Sequence, residues 1–151
     1  MSTDIERIAE QLTQVQEGEA WHGPSVREVL AGVDAAKAAA RPLRGAHSIW
    51  EIVHHMRVTE EGVRAHLTGE PAPEEPEWPS LADTGDAAWR AAVSRLEATQ
   101  RAVREAVRRL PEERLHEPVS GKSHSYWHAL LGLMHHDLYH AGQIALLKRG
   151  L

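Results

Sequence analysis

The chain has 151 residues, 42% of them hydrophobic, with a formal charge of −5 at pH 7 and no cysteine. That length suits one domain, residues 1–151, around a single core. The missing cysteines exclude disulfides, thiolate nucleophiles and cysteine-held metal sites, and the negative balance excludes nucleic-acid binding driven by a basic surface.

Ala, Leu, Glu and Arg dominate and alternating β-branched stretches are missing, so an all-α fold is expected. The first helix is predicted from about Thr3 to Glu17, with Ile5, Ile8, Leu12 and Val15 at helical spacing and Gly18 as its stop. WHGPSV (Trp21–Val26) reads as a turn, followed by a short helix to about Leu30 and a second short segment near Asp34–Pro42. Ser48 and Glu51 form an S-x-x-E capping box that starts a long helix running to about Leu67. Gly69–Gly85 is rich in proline and acid and reads as a long surface connection, with Trp78 and Trp89 expected to be exposed at its flanks. The next long helix begins near Asp86 and places Trp89, Val93, Leu96, Val103, Val107 and Leu110 on one face. Arg90, Arg95, Arg101, Arg104 and Arg108 are expected on its solvated face. Pro111 breaks it, a polar loop follows, and the last long helix is predicted over about Tyr126–Lys148. Four long helices with one long crossover make a four-helix bundle. No apolar run approaches twenty residues, so no membrane partner is expected. The polar start MSTDIERIAEQL lacks the pattern of a secretory leader, so a cytoplasmic protein is expected.

Eleven histidines is a high count for this length, and three of them fall within LMHHDLYHAGQI (Leu133–Ile144). At about 100° per residue, His140 lies about 40° from His136, and Gln143 about 20° to the other side. This stripe borders the apolar arc of Leu130, Leu133, Met134, Leu138, Ala141, Ile144 and Ala145. Two imidazoles at i,i+4 suit one divalent ion, although Asp137 stands where an HExxH protease would carry glutamate. His135 points off the stripe and reads as an exposed polar residue.

A third ligand is sought on the Ser48–Leu67 helix. His55 borders its apolar arc and His54 falls about 100° further round, towards solvent, so His55 is chosen. The alternative reading of His55 is a core-edge histidine hydrogen-bonded to a neighbour. His124 and His128 form a competing i,i+4 pair near the start of the last helix. His22, His47, His66 and His116 lie at turns or helix ends and read as surface residues, with His22 placed to line a cleft mouth.

HSIWEIVHHM (His47–Met56) followed by HHDLYHAGQIALLKR (His135–Arg149) resembles the DinB family of DinB/YfiT-like metalloenzymes. The family pattern of one histidine on the second long helix and an HxxxH pair on the last falls on His55, His136 and His140, and WHGPS resembles a segment of one branch. The resemblance implies an up-down-down-up bundle with Gly69–Gly85 as its crossover, a divalent ion (zinc or nickel), and a homodimer. It implies metal-dependent hydrolysis of a small-molecule substrate, or transfer using a low-molecular-weight thiol. A non-catalytic metal or small-molecule binder is the third reading.

Three neutral imidazoles leave a divalent ion with open positions, the pattern of a catalytic rather than a closed structural site. Gln143 is a candidate to orient a ligand there or to bond a neighbouring helix. Asp137 and Glu51 are candidates to accept imidazole N–H groups. A basic cleft would favour an acidic thiol, and the lack of a pocket would favour a binding protein.

Overall fold

The computed structural model describes residues 1–151 and is helical throughout, with one isolated bridge between Pro118 and Ser125. Four long helices, α1 (Asp4–Glu17), α4 (Ile49–Thr68), α5 (Asp86–Arg109) and α6 (Tyr126–Lys148), are joined by two short ones, α2 (Val26–Leu30) and α3 (Ala35–Ala39). The predicted bounds of the four long helices hold to within a residue or two, the second short helix ends at Ala39 rather than near Pro42, and Gly69–Gly85 carries no regular structure. No helix is long and apolar enough to cross a membrane.

The boundaries follow from local chemistry. Thr3, Ser25 and Ser48 each accept a hydrogen bond from the third helical N–H, while Glu6, Glu28 and Glu51 reach back to the cap residue's own N–H. Asp34 and Ser125 cap α3 and α6. Gly69 ends α4 in the left-handed region at φ 76°, which glycine adopts without a Cβ clash. Ser48 is fully buried, so its orphaned N–H groups have no water to turn to. Ser48→Ala is therefore expected to cost about 1–2 kcal/mol by chemical denaturation.

Side-chain pairings set the helix directions. Trp50 packs on Trp89 and the Gln100 amide reaches Glu60, so α4 and α5 run the same way. His55 meets His140 and Tyr126 reaches the carbonyl of His66, so α6 runs opposite to α4. Glu112, just beyond α5, accepts from the Asp4 N–H, while Arg104 within α5 pairs with Glu17, so α1 opposes α5.

The core is two apolar clusters with a polar layer between them. One holds Ile49–Met56, Trp89, Leu96 and Ile144 with the short helices, and the other holds Ile5–Leu12, Val103–Leu110 and Tyr126–Met134. At the divide each long helix contributes buried polar residues: Gln16, Glu60, Gln100, Arg104 and Asp137. Gln16 donates to Asp137, Gln100 donates to Glu60, and Arg104 donates to Gln16 and Glu17. Arg104 thus departs from the expected solvated face. It is 5% exposed, whereas Arg90, Arg95, Arg101 and Arg108 are exposed. Trp89 likewise is not exposed. It is buried, and its indole N–H donates to the Val33 carbonyl at 2.8 Å, which a buried indole requires.

Candidate metal centre

The inner face of α4 meets that of α6 at the edge of the apolar cluster that holds Ile52, Met56 and Ile144, and there the structure brings His55, His136 and His140 together. One ligand atom from each lies within 4.8 Å of the others. Nε2 of His55 and Nε2 of His136 face each other at 2.9 Å. Two nitrogens bound to one tetrahedral ion at about 2.0–2.1 Å stand roughly 3.3 Å apart, a separation bracketed by these values. His140 donates its Nδ1–H to Oε1 of Gln143 at 2.7 Å, which leaves the Nε2 lone pair for another partner.

The donor set has the right chemistry for a cation. Burial, then the neighbouring His136 and His140, pushes His55 down to about 4, and burial also lowers His140. Both are neutral near pH 7, as metal ligands must be. Nε2 of His55 and Nε2 of His136 can share one hydrogen bond, but Nδ1 of each ring is buried without any partner, so the protein's own bonds leave these histidines only half satisfied. The residues fit a divalent ion.

The family model of the DinB superfamily matches residues 20–144. The chain belongs to the DinB superfamily. No curated protein and no solved structure matches it.

The other histidines of this DinB chain take different places. His54 does not face solvent as its phase suggested. The crossover folds over it, and its Nε2–H donates to the Pro76 carbonyl at 3.0 Å, with Glu75 3.9 Å away. His135 and His22 are exposed. His124 and His128 approach with ring centroids 5.6 Å apart, but no third ligand joins them. Of the two candidate acceptors, Glu51 is taken up by Ser48 and Arg41. Asp137 is fully buried, and its Oδ1 stops 3.9 Å from Nδ1 of His136, beyond hydrogen-bond reach. Gln143 bonds no neighbouring helix, since its Oε1 fixes the ring of His140 one turn back on α6.

The sequence reading missed Trp78 and His47. Trp78 lies flat between His47 and His55, with centroid separations of 3.7 and 4.2 Å and interplanar angles of 7° and 8°. The crossover that delivers it is pinned by Glu75 to Arg57 and Arg95. Trp78 is 37% exposed, in keeping with the exposure expected of it, and no local pattern in the sequence announces the rings its faces meet.

A cavity of about 400 Å³ opens beside the triad, with His140 and Gln143 at one end and Leu43, Ile52, Trp78 and Leu146 among its walls. No lysine, arginine, aspartate or glutamate lines it. A larger open groove, about 610 Å³, runs along α1 beside Glu6, Glu10 and Glu19 and touches none of the histidines.

Proposed function

We propose that this DinB protein is a metal-dependent, hydrolase-like enzyme in which His55, His136 and His140 hold one divalent ion, zinc or nickel. The observation that carries this reading is the convergence of three imidazoles from two helices on one point beside a cavity. When bound, such an ion supplies Lewis acidity at positions the protein leaves open.

The chain's own residues do the rest. Gln143 holds the tautomer of His140, and the His47–Trp78–His55 stack holds the plane of the His55 ring. Trp78 covers the His55 ring. The cavity admits a small molecule beside the triad, with His140, Gln143 and Trp78 in its walls. An acidic thiol cosubstrate finds no basic lining there, which supports hydrolysis over thiol transfer, and the cavity itself supports catalysis over simple metal storage.

The test is elemental mass spectrometry on protein purified without an affinity tag or chelator, beside a screen of neutral esters and amides. About one equivalent of zinc or nickel is expected, with any hydrolysis lost on chelation and restored by the metal. Protein that contains no metal, and takes up none on reconstitution, would overturn the reading.

A further inference from the structure

The cavity beside the triad has a chemistry of its own, and it narrows what the site accepts. Its walls are mostly apolar, and several stay open to solvent at the mouth: Leu146 is 59% exposed and Leu43 44%. Trp78 contributes only its edge, because both its faces are covered by His47 and His55. No side chain of fixed charge lines the space. In the metal-free chain a carboxylate or ammonium drawn inside would lose its hydration with no ionic partner in return, a cost far above that of an uncharged group.

Gln143, half-buried in the cavity wall, commits Oε1 to His140, and its amide nitrogen makes no hydrogen bond. An amide N–H left free in a mostly apolar wall suits an acceptor, and a carbonyl oxygen on the ligand supplies one. The volume of about 400 Å³ equals roughly a dozen water volumes at ≈ 30 Å³ each. That sets the ligand at around ten to fifteen non-hydrogen atoms.

We infer that the cavity binds an uncharged carbonyl compound, an ester or amide with a compact apolar group. Its hydrocarbon part lies against Leu43, Ile52 and Leu146, and its carbonyl oxygen accepts from Nε2 of Gln143. The inference rests on the hydrolytic reading for its meaning as a substrate class. The pocket's preference for neutral carbonyls is a property of these side chains in the metal-free chain, since a divalent ion held at His140 would itself attract an anion.

The experiment is ligand-observed NMR, before any metal is added back to chelator-treated protein, with N-benzylacetamide as the neutral probe and with benzylamine and phenylacetate as its cationic and anionic counterparts. The expected result is that the amide binds at least tenfold more tightly than either ion. Leu146→Glu, at an exposed helix position, should weaken the amide about tenfold by placing a charge in the mouth. Gln143→Glu should do the same, because it keeps the acceptor for His140 but loses the N–H donor. Ions that bind as well as the amide would overturn the inference. So would an amide that ignores both substitutions, or no binding at millimolar probe, as when a second copy of the chain fills the cavity. Metal content read on the same samples separates the two levels. Selective amide binding in a chain that takes up no metal upholds the pocket and removes the hydrolytic reading, while metal uptake without such binding does the reverse.

Discussion

Replacing His55, His136 or His140 by alanine is expected to weaken zinc binding roughly a hundred- to a thousandfold, with His135→Ala leaving it unchanged. The size follows from the ligand count. A full set of structural zinc ligands is worth about 10–16 kcal/mol at pH 7, so each contributes roughly 2.5–4 kcal/mol, or two to three decades. Gln143→Leu belongs between these limits. It removes the acceptor that orients His140 and leaves the ligand in place, a change that typically costs about 10–100-fold. His54→Ala is the stricter control, because His54 neighbours His55 in the chain yet spends its Nε2–H on the Pro76 carbonyl. Competition against a chromophoric chelator measures all six variants, and circular dichroism reports whether each remains helical. Equal losses for His54→Ala and His55→Ala would mean that the convergence on α6 does not hold the metal.

The second large effect concerns stability and sits in the polar layer. Arg104→Ala is expected to destabilise the fold by about 3 kcal/mol, because it strands buried Gln16 and the buried Asp137 behind it without a cation, while Glu17 keeps Arg27 3.6 Å away. Glu60→Gln should do the opposite. Burial, and then the charge of Asp137, raises the Glu60 carboxyl well above the ordinary carboxylate range. A proton kept on Glu60 makes one of its oxygens a donor towards Asp137 while the other accepts from Gln100. The folded state therefore binds this proton more tightly than the unfolded chain does. Stability from the group is complete below the unfolded value near 4.3. It declines as pH rises, until the folded carboxyl itself ionises. Glutamine reproduces the protonated form and cannot ionise, so the gain of Glu60→Gln over the natural chain should be absent at pH 4 and grow with pH above it. Thermal melts across that range check it, and a variant less stable at every pH would refute the protonated arrangement.

How far the sequence reaches can be judged residue by residue. The long helices and their ends were legible because caps and apolar spacing are local, and Ser48–Glu51 alone places the start of α4. The convergence of His55 with His136 and His140 was legible because helical phase decides which of two adjacent histidines borders the apolar arc. Phase failed where a second layer of chain intervened. His54 has the outward phase and is nonetheless covered, because Pro76 and Glu75 come from a loop whose path no periodicity describes. Arg104 was misjudged for a related reason. It lies about 40° from Gln100 and about 60° from Val107, an edge position whose burial depends on what α1 offers opposite it. Gln16 and Glu17 supply that, and nothing near Arg104 in the chain announces them.

The parallel course of α4 and α5 has a consequence for how this protein varies. Joining them means returning the length of α4, about 30 Å at 1.5 Å per residue. An extended chain over Gly69–Gly85 reaches roughly 55–60 Å. About half of the crossover is therefore slack as far as connectivity goes, and it is this slack that carries Glu75, Pro76 and Trp78 across to the histidines. The roof of the site is made from chain the bundle does not need. Insertions, deletions and substitutions there can reshape what the site admits while the helix packing below goes undisturbed, so recognition and folding are separately mutable in one short chain.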